Sequence, residues 1–276
     1  MIHRRAVVGL SLLSALLFCA FAAQSASAAK AVNTTATTCV KSETGTGDFN
    51  DAHCDSPNPE KKGAFAHETI SVGQTRELDA TNQKVTNETK QSEVIVLKSK
   101  IGLTATEITC TTMTTTTEKS AVHNVETESK QHTMTGNGTA LFSGCTVNKP
   151  TKCTVKEPLE ANANFEGVEK LGAAENEMGV EFKGAGAEEA IGSITYEGAE
   201  CSAKGKTFNV KGSAVGTSGP TTESPQTNKY SGATIVFTPK NNMQKLKFGV
   251  ETAEVTFIAT PAGAKGGPPI AITTTT

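Results

Sequence analysis

The residues best equipped for chemistry in this chain are its cysteines. Cys39, Cys54, Cys110, Cys145, Cys153 and Cys201 are spread along the body, and a seventh, Cys19, lies in an apolar run near the start. An even set of thiols in an exported chain reads as three disulfides. The sequence leaves their connectivity open. Proximity along the chain suggests Cys39–Cys54 and Cys145–Cys153, with Cys110–Cys201 as a long-range bridge. No CxxC occurs and the spacings fit no zinc template, so the thiols read as covalent staples and not as metal ligands.

Nucleophilic catalysis needs a nucleophile, a base and a group that orients the base. Past the leader the histidines are His53, His67, His123 and His132, and none lies in a GxSxG or comparable setting. His123 and His132 flank a polar stretch that reads as a solvated hairpin. The close carboxylates Glu175 with Glu177, and Glu188 with Glu189, fall in Gly- and Ala-rich connections and read as surface charge rather than as a glycosidase pair. Asp48, Asn50, Asp51 and Asp55 crowd one loop, but the glycine and distal glutamate of an EF-hand are missing, and Asx-turn chemistry is the plainer reading. No catalytic, cofactor-binding or metal residue is assigned. The Asn-x-Thr triplets at Asn33, Asn87 and Asn137 matter only in a eukaryotic secretory host.

The elements that would position these groups are strands. Thr is abundant, Trp is absent, and aromatic residues make up 5% of the chain, so the core must come from aliphatic side chains and a few Phe residues. Val94 to Cys110 suggests one long strand or two joined near Gly102. Further strands are expected at 139–147, 179–183, 193–197, 207–211, 234–238, 245–250 and 254–259. Phe208 and Val210 share one face, as do Leu246 and Phe248 with lysines opposite, which is the pattern of half-buried strands. A helix is possible at 158–171. The expected fold is all-β, an antiparallel sandwich or barrel-like body with a small disulfide-tied N-terminal loop region.

Four segments follow. Residues 1–28 read as a signal peptide: Arg4 and Arg5, an apolar run from Ala6 to Ala23, and a cleavage site at Ala26-Ser27-Ala28. The bulky Phe18 before Cys19 argues against lipid attachment there. Residues 29–92 form a polar N-terminal segment with the Cys39–Cys54 loop, 93–260 the β domain, and 261–276 a disordered tail. The mature chain is expected to be secreted, with no membrane span. A net charge of −2 and no basic stripe argue against nucleic acid as a partner.

The segment CVKSETGTGDFNDAHC from Cys39 to Cys54, the motifs Ile108-Thr109-Cys110, Leu141 to Val147 and Cys153-Thr154-Val155, and Phe208 to Gly216 resemble secreted, cysteine-bridged hypothetical proteins of high-GC soil actinobacteria. Where that family carries an aromatic-rich motif after the first disulfide loop, this chain has only Gly63-Ala64-Phe65-Ala66-His67. The resemblance implies export and bridged β structure, and supplies no catalytic residue. The expectation is a secreted, non-enzymatic β-protein acting as a binding or cell-envelope module; an extracellular hydrolase is the alternative, and a calcium-stabilised adhesin-like module a third.

Overall fold

The computed structural model describes residues 34–82 (apart from 44, 53 and 55), 95–128, 132–169, 178–218, 235–237, 244–263, 267 and 270–274. The leader, His53, Asp55, Asn33, Asn87, Glu175 and Glu177 lie outside the described residues.

The described chain is nearly all strand: β1 (Thr34–Lys41), β2 (Phe65–Thr69), β3 (Thr75–Asn82), β4 (Ile95–Ile101), β5 (Thr104–Thr115), β6 (Ala121–Glu126), β7 (His132–Lys149), β8 (Thr154–Val155), β9 (Leu159–Glu169), β10 (Met178–Gly184), β11 (Ala190–Glu197), β12 (Thr207–Lys211), β13 (Ser213–Ser218), β14 (Ile235–Phe237), β15 (Leu246–Phe248), β16 (Glu251–Gly263) and β17 (Ile270–Thr274). Among the described residues no helix is long and apolar enough to cross a membrane.

Pairing organises these strands into a closed barrel of eight antiparallel rows, several of them broken in two. In chain order the rows are β3 with β4, β5 with β6, β7, β9, β10 with β11, β12 with β13, β14 with β15, and β16. Each row hydrogen-bonds to the next. The last closes the ring: β16 pairs β14 and β15 along one edge, and β4 and β3 along the other. A polypeptide that meanders up and down in this way leaves no open edge in the barrel. The break between β12 and β13 falls at Gly212, whose φ of +100° suits glycine and whose missing Cβ makes room for the Lys245 carbonyl.

Successive residues of a strand face opposite sides, and in β9 Leu159, Ala161, Ala163 and Phe165 point inward. The helix expected at 158–171 is therefore replaced by a strand. Its apolar and small residues recur every second position, and that period suits a barrel wall. The two strands expected to meet near Gly102 are β4 and β5. In β12 and β15 the alternation holds too, with Leu246 and Phe248 buried and Lys247 exposed.

Three further expectations change. The boundary at 92/93 dissolves, because β3 is part of the barrel. The tail from residue 261 is not without structure: β16 runs to Gly263 and β17 pairs with β1. The disulfides are Cys39–Cys54, Cys110–Cys145 and Cys153–Cys201, so the proximity pairing fails for two of the three. Strand register explains this, since Cys110 and Cys145 stand directly opposite one another on β5 and β7. Three bridges point to an oxidising environment.

Candidate functional site: an apolar cavity in the barrel

The barrel is covered at both ends. At one end the strands β17, β1 and β2 form a separate three-stranded sheet. Ile270, Ala271 and Ile272 of β17 are buried and join the inner wall. The sheet is pinned by Asn124 on β6, which is 1% exposed. Its Oδ1 accepts the Ala36 N–H at 2.7 Å, and its Nδ2 donates to the carbonyls of Ala36 and Ile70 at 3.0 and 2.6 Å. Thr34 Oγ1 accepts the Met134 N–H at 3.2 Å. Thr34 comes so close to Gly167 on β9 that a Cβ there would lie 2.4 Å from its Oγ1. Glycine at 167 is what lets this cap seat.

The cap also holds His67 on β2, against the Phe49 ring at 4.5 Å. Burial pushes its imidazole below the ordinary value of 6.5, and nearby Asp48 opposes this in part. With the folded value the lower one, the unfolded chain takes up the proton first on acidification. The stability from neutral His67 is whole above pH 6.5 and is lost as pH falls from there through the folded value. The urea midpoint of the wild type should therefore fall more steeply between about pH 7 and pH 5 than that of His67→Gln. Parallel slopes would remove His67 from the acid response.

At the other end Tyr196 is fully buried, edge-on to Phe208 and Phe248 at 5.9 and 6.4 Å. Its hydroxyl donates to Thr106 Oγ1 at 3.5 Å, and desolvation raises its pKa. Strand β8 pairs with β11 through Tyr196 and Val155. The Cys153–Cys201 bridge ties the segment carrying β8 to the turn after β11, and Cys153, Val155, Cys201 and Ala203 are all part of the core.

Between these covers lies a cavity of about 240 Å³. Its wall is apolar, from Ile95, Leu97, Ile108, Met113, Met134, Phe142, Phe165, Phe182 and Phe237 among others. The void exists because small residues stand where bulk would fill it. Ala140 and Ala161 face each other across β7 and β9, and Gly138, Ala163 and Ala214 are also at the wall. Barrels of eight strands either pack their interior with side chains or hold one small ligand. This one leaves space.

The described histidines, His67, His123 and His132, do not assemble a catalytic set. His123 Nε2 lies 3.0 Å from Thr135 Oγ1 in an open depression on the outer surface, beside Glu166, Glu181 and Lys183. Among the described residues no carboxylate hydrogen-bonds its other ring nitrogen. His132 opens β7 opposite Glu126, and His67 is in the cap. In the acidic loop Asp51 Oδ2 accepts the Ser56 N–H at 2.7 Å, Asn50 Oδ1 accepts from Asn58 at 2.8 Å, and Asp48 lies 3.8 Å from Lys61. These are turn contacts, and no metal-holding cluster is present among the described residues. Glu188, just before β11, pairs with Lys211 on β12, which lowers its carboxyl pKa.

The cavity was missed in the sequence because its defining residues are small and uncharged. Alternation of Ala and Gly with polar residues in 159–169 was the available signal. Comparison with protein families, curated proteins and solved structures finds no match. The class is thus set by architecture: a closed, capped up-and-down β-barrel with an apolar interior cavity.

Proposed function

We propose that this chain is an exported, non-enzymatic binding protein that carries or sequesters a small apolar molecule inside its barrel. The observation that carries this reading is the cavity of about 240 Å³ inside the barrel, with its apolar wall. Removing apolar surface from water drives binding in such a site, and the few polar groups are left to set orientation. Export is supported by the leader motif and by three disulfides. The outer face carries charge, as at Lys98, Lys183, Lys247 and Glu254, while the inner face is apolar. A barrel that spans a membrane has the opposite polarity, with a lipid-facing apolar band. That contrast favours a water-soluble carrier.

The neutral fluorophore 1-aminonaphthalene, with ten carbons, tests the proposal, because its emission shifts to the blue in apolar surroundings. The wild type should bind it in one saturable step. Ala161→Leu, which adds bulk at the cavity wall, should weaken binding by about tenfold or more while the far-UV circular dichroism is unchanged. Equal binding by the two proteins would place the dye outside the barrel and sink the reading.

A further inference from the structure

Resting on the proposal of a ligand-binding cavity, we infer a narrower ligand class: an uncharged, hydrocarbon-like molecule, with anions of the same size and shape rejected. The argument concerns what the wall withholds. Among its described residues there is no Lys, Arg or His. The hydroxyls that reach it are already engaged. Thr115 donates to Asp79 Oδ1 at 2.8 Å, and Thr139 donates to Asn162 Oδ1 at 2.6 Å. Glu160 and Ser193 also border the cavity, but both are solvent-exposed residues. The charged residue that the described wall does include, Glu160, is acidic, as is Asp79, which accepts the Thr115 hydroxyl.

A carboxylate drawn into this space would lose its hydration and find neither a cation nor a free donor. It would also feel the Asp79 charge through one hydroxyl. A neutral chain or ring system loses nothing comparable, and the two methionines, Met113 and Met134, give the wall adaptable surface. Size is bounded as well. A dry cavity of 150 Å³ admits benzene, so by proportion this one suits about ten carbons.

Methyl decanoate and decanoate form the matched test, since they share a chain and differ in charge at neutral pH. Each is titrated against the protein with 1-aminonaphthalene bound. The ester should displace the dye, and decanoate at pH 8 should be weaker by about a hundredfold. The gap should narrow as the pH falls toward the carboxyl range, where the acid becomes neutral. Ala161→Leu should diminish displacement by the ester. Decanoate equal to the ester at pH 8 would overturn the inference while leaving the cavity reading intact. So would displacement by neither with the dye bound. Failure of the dye itself to bind would overturn the cavity reading and, with it, this one.

Discussion

Asn124→Ala should lower stability by about 3 kcal/mol and loosen the cap from the barrel. The side chain satisfies three backbone groups at once, the N–H and C=O of Ala36 and the C=O of Ile70. Truncation removes the side-chain partner of the Ala36 N–H and the Ile70 C=O, each at a cost on the order of 1 kcal/mol or more, and leaves the Ala36 C=O with only the Ile70 N–H. The isosteric Asn124→Asp is the sharper probe. It keeps the acceptor for Ala36 N–H but turns the donor toward two carbonyls into a second acceptor, so near neutral pH it should be worse than Ala. Part of the loss should return on acidification, once the carboxyl can donate again. Urea midpoints of the three proteins at pH 7 and pH 5 check the ordering. Faster amide exchange at Ile70, whose N–H donates to the Ala36 carbonyl at 3.1 Å, would locate the damage at the cap. An Asp variant as stable as wild type at pH 7 would mean the cap is held by packing alone.

The second large effect concerns the opposite cover. Replacing both Cys153 and Cys201 with Ala should cost about 4 kcal/mol by the chain-entropy relation for a loop of 48 residues. Both residues are buried, at 6% and 8% exposure, so alanine avoids leaving a thiol or hydroxyl without a partner. The expected result is a fall of many degrees in the thermal midpoint, with loss of the near-UV signal of Tyr196 before global unfolding. Differential scanning calorimetry with near-UV dichroism reads both. A shift equivalent to less than about 1 kcal/mol would show that the Tyr196, Phe208 and Phe248 cluster holds this end without the bridge.

How much of this was legible in the sequence depends on the element. Thr207 to Lys211 and Leu246 to Phe248 could be read because a large apolar residue alternates with a polar or charged one. The β4–β5 hairpin could be read because Gly102 interrupts two apolar runs. β9 could not, since Ala161 and Ala163 carry too little hydrophobicity to mark an inner face beside Asn162 and Asn164. The cap was hidden for another reason. β1 is TTATTCVK and β17 is IAITT, and short threonine-rich segments look solvated until partners far along the chain bury them. Asn124 reads as a polar surface residue for the same reason, and its role is visible only when Ala36 and Ile70 arrive beside it. The disulfides show the limit of local reasoning: the residue opposite Cys110 is chosen by strand register, to which distance along the chain is no guide.

The meander that forms the barrel has a consequence for the order in which the molecule is built. Each row pairs with the next in the chain, so most of the wall can grow by short loop closures, which are the fast steps of folding. The exception is the seam where β16 meets β3 and β4, joining residues 254–263 to 78–82 and 96–98. That seam requires the longest closure in the barrel and so falls late. Until it forms, the apolar inner face is an open, curved sheet, accessible from the side. A ligand present while the chain is folding meets a trough, whereas one arriving afterwards meets a closed barrel with a cover at each end. Occupancy of the barrel is therefore tied to the history of the molecule as well as to its affinity.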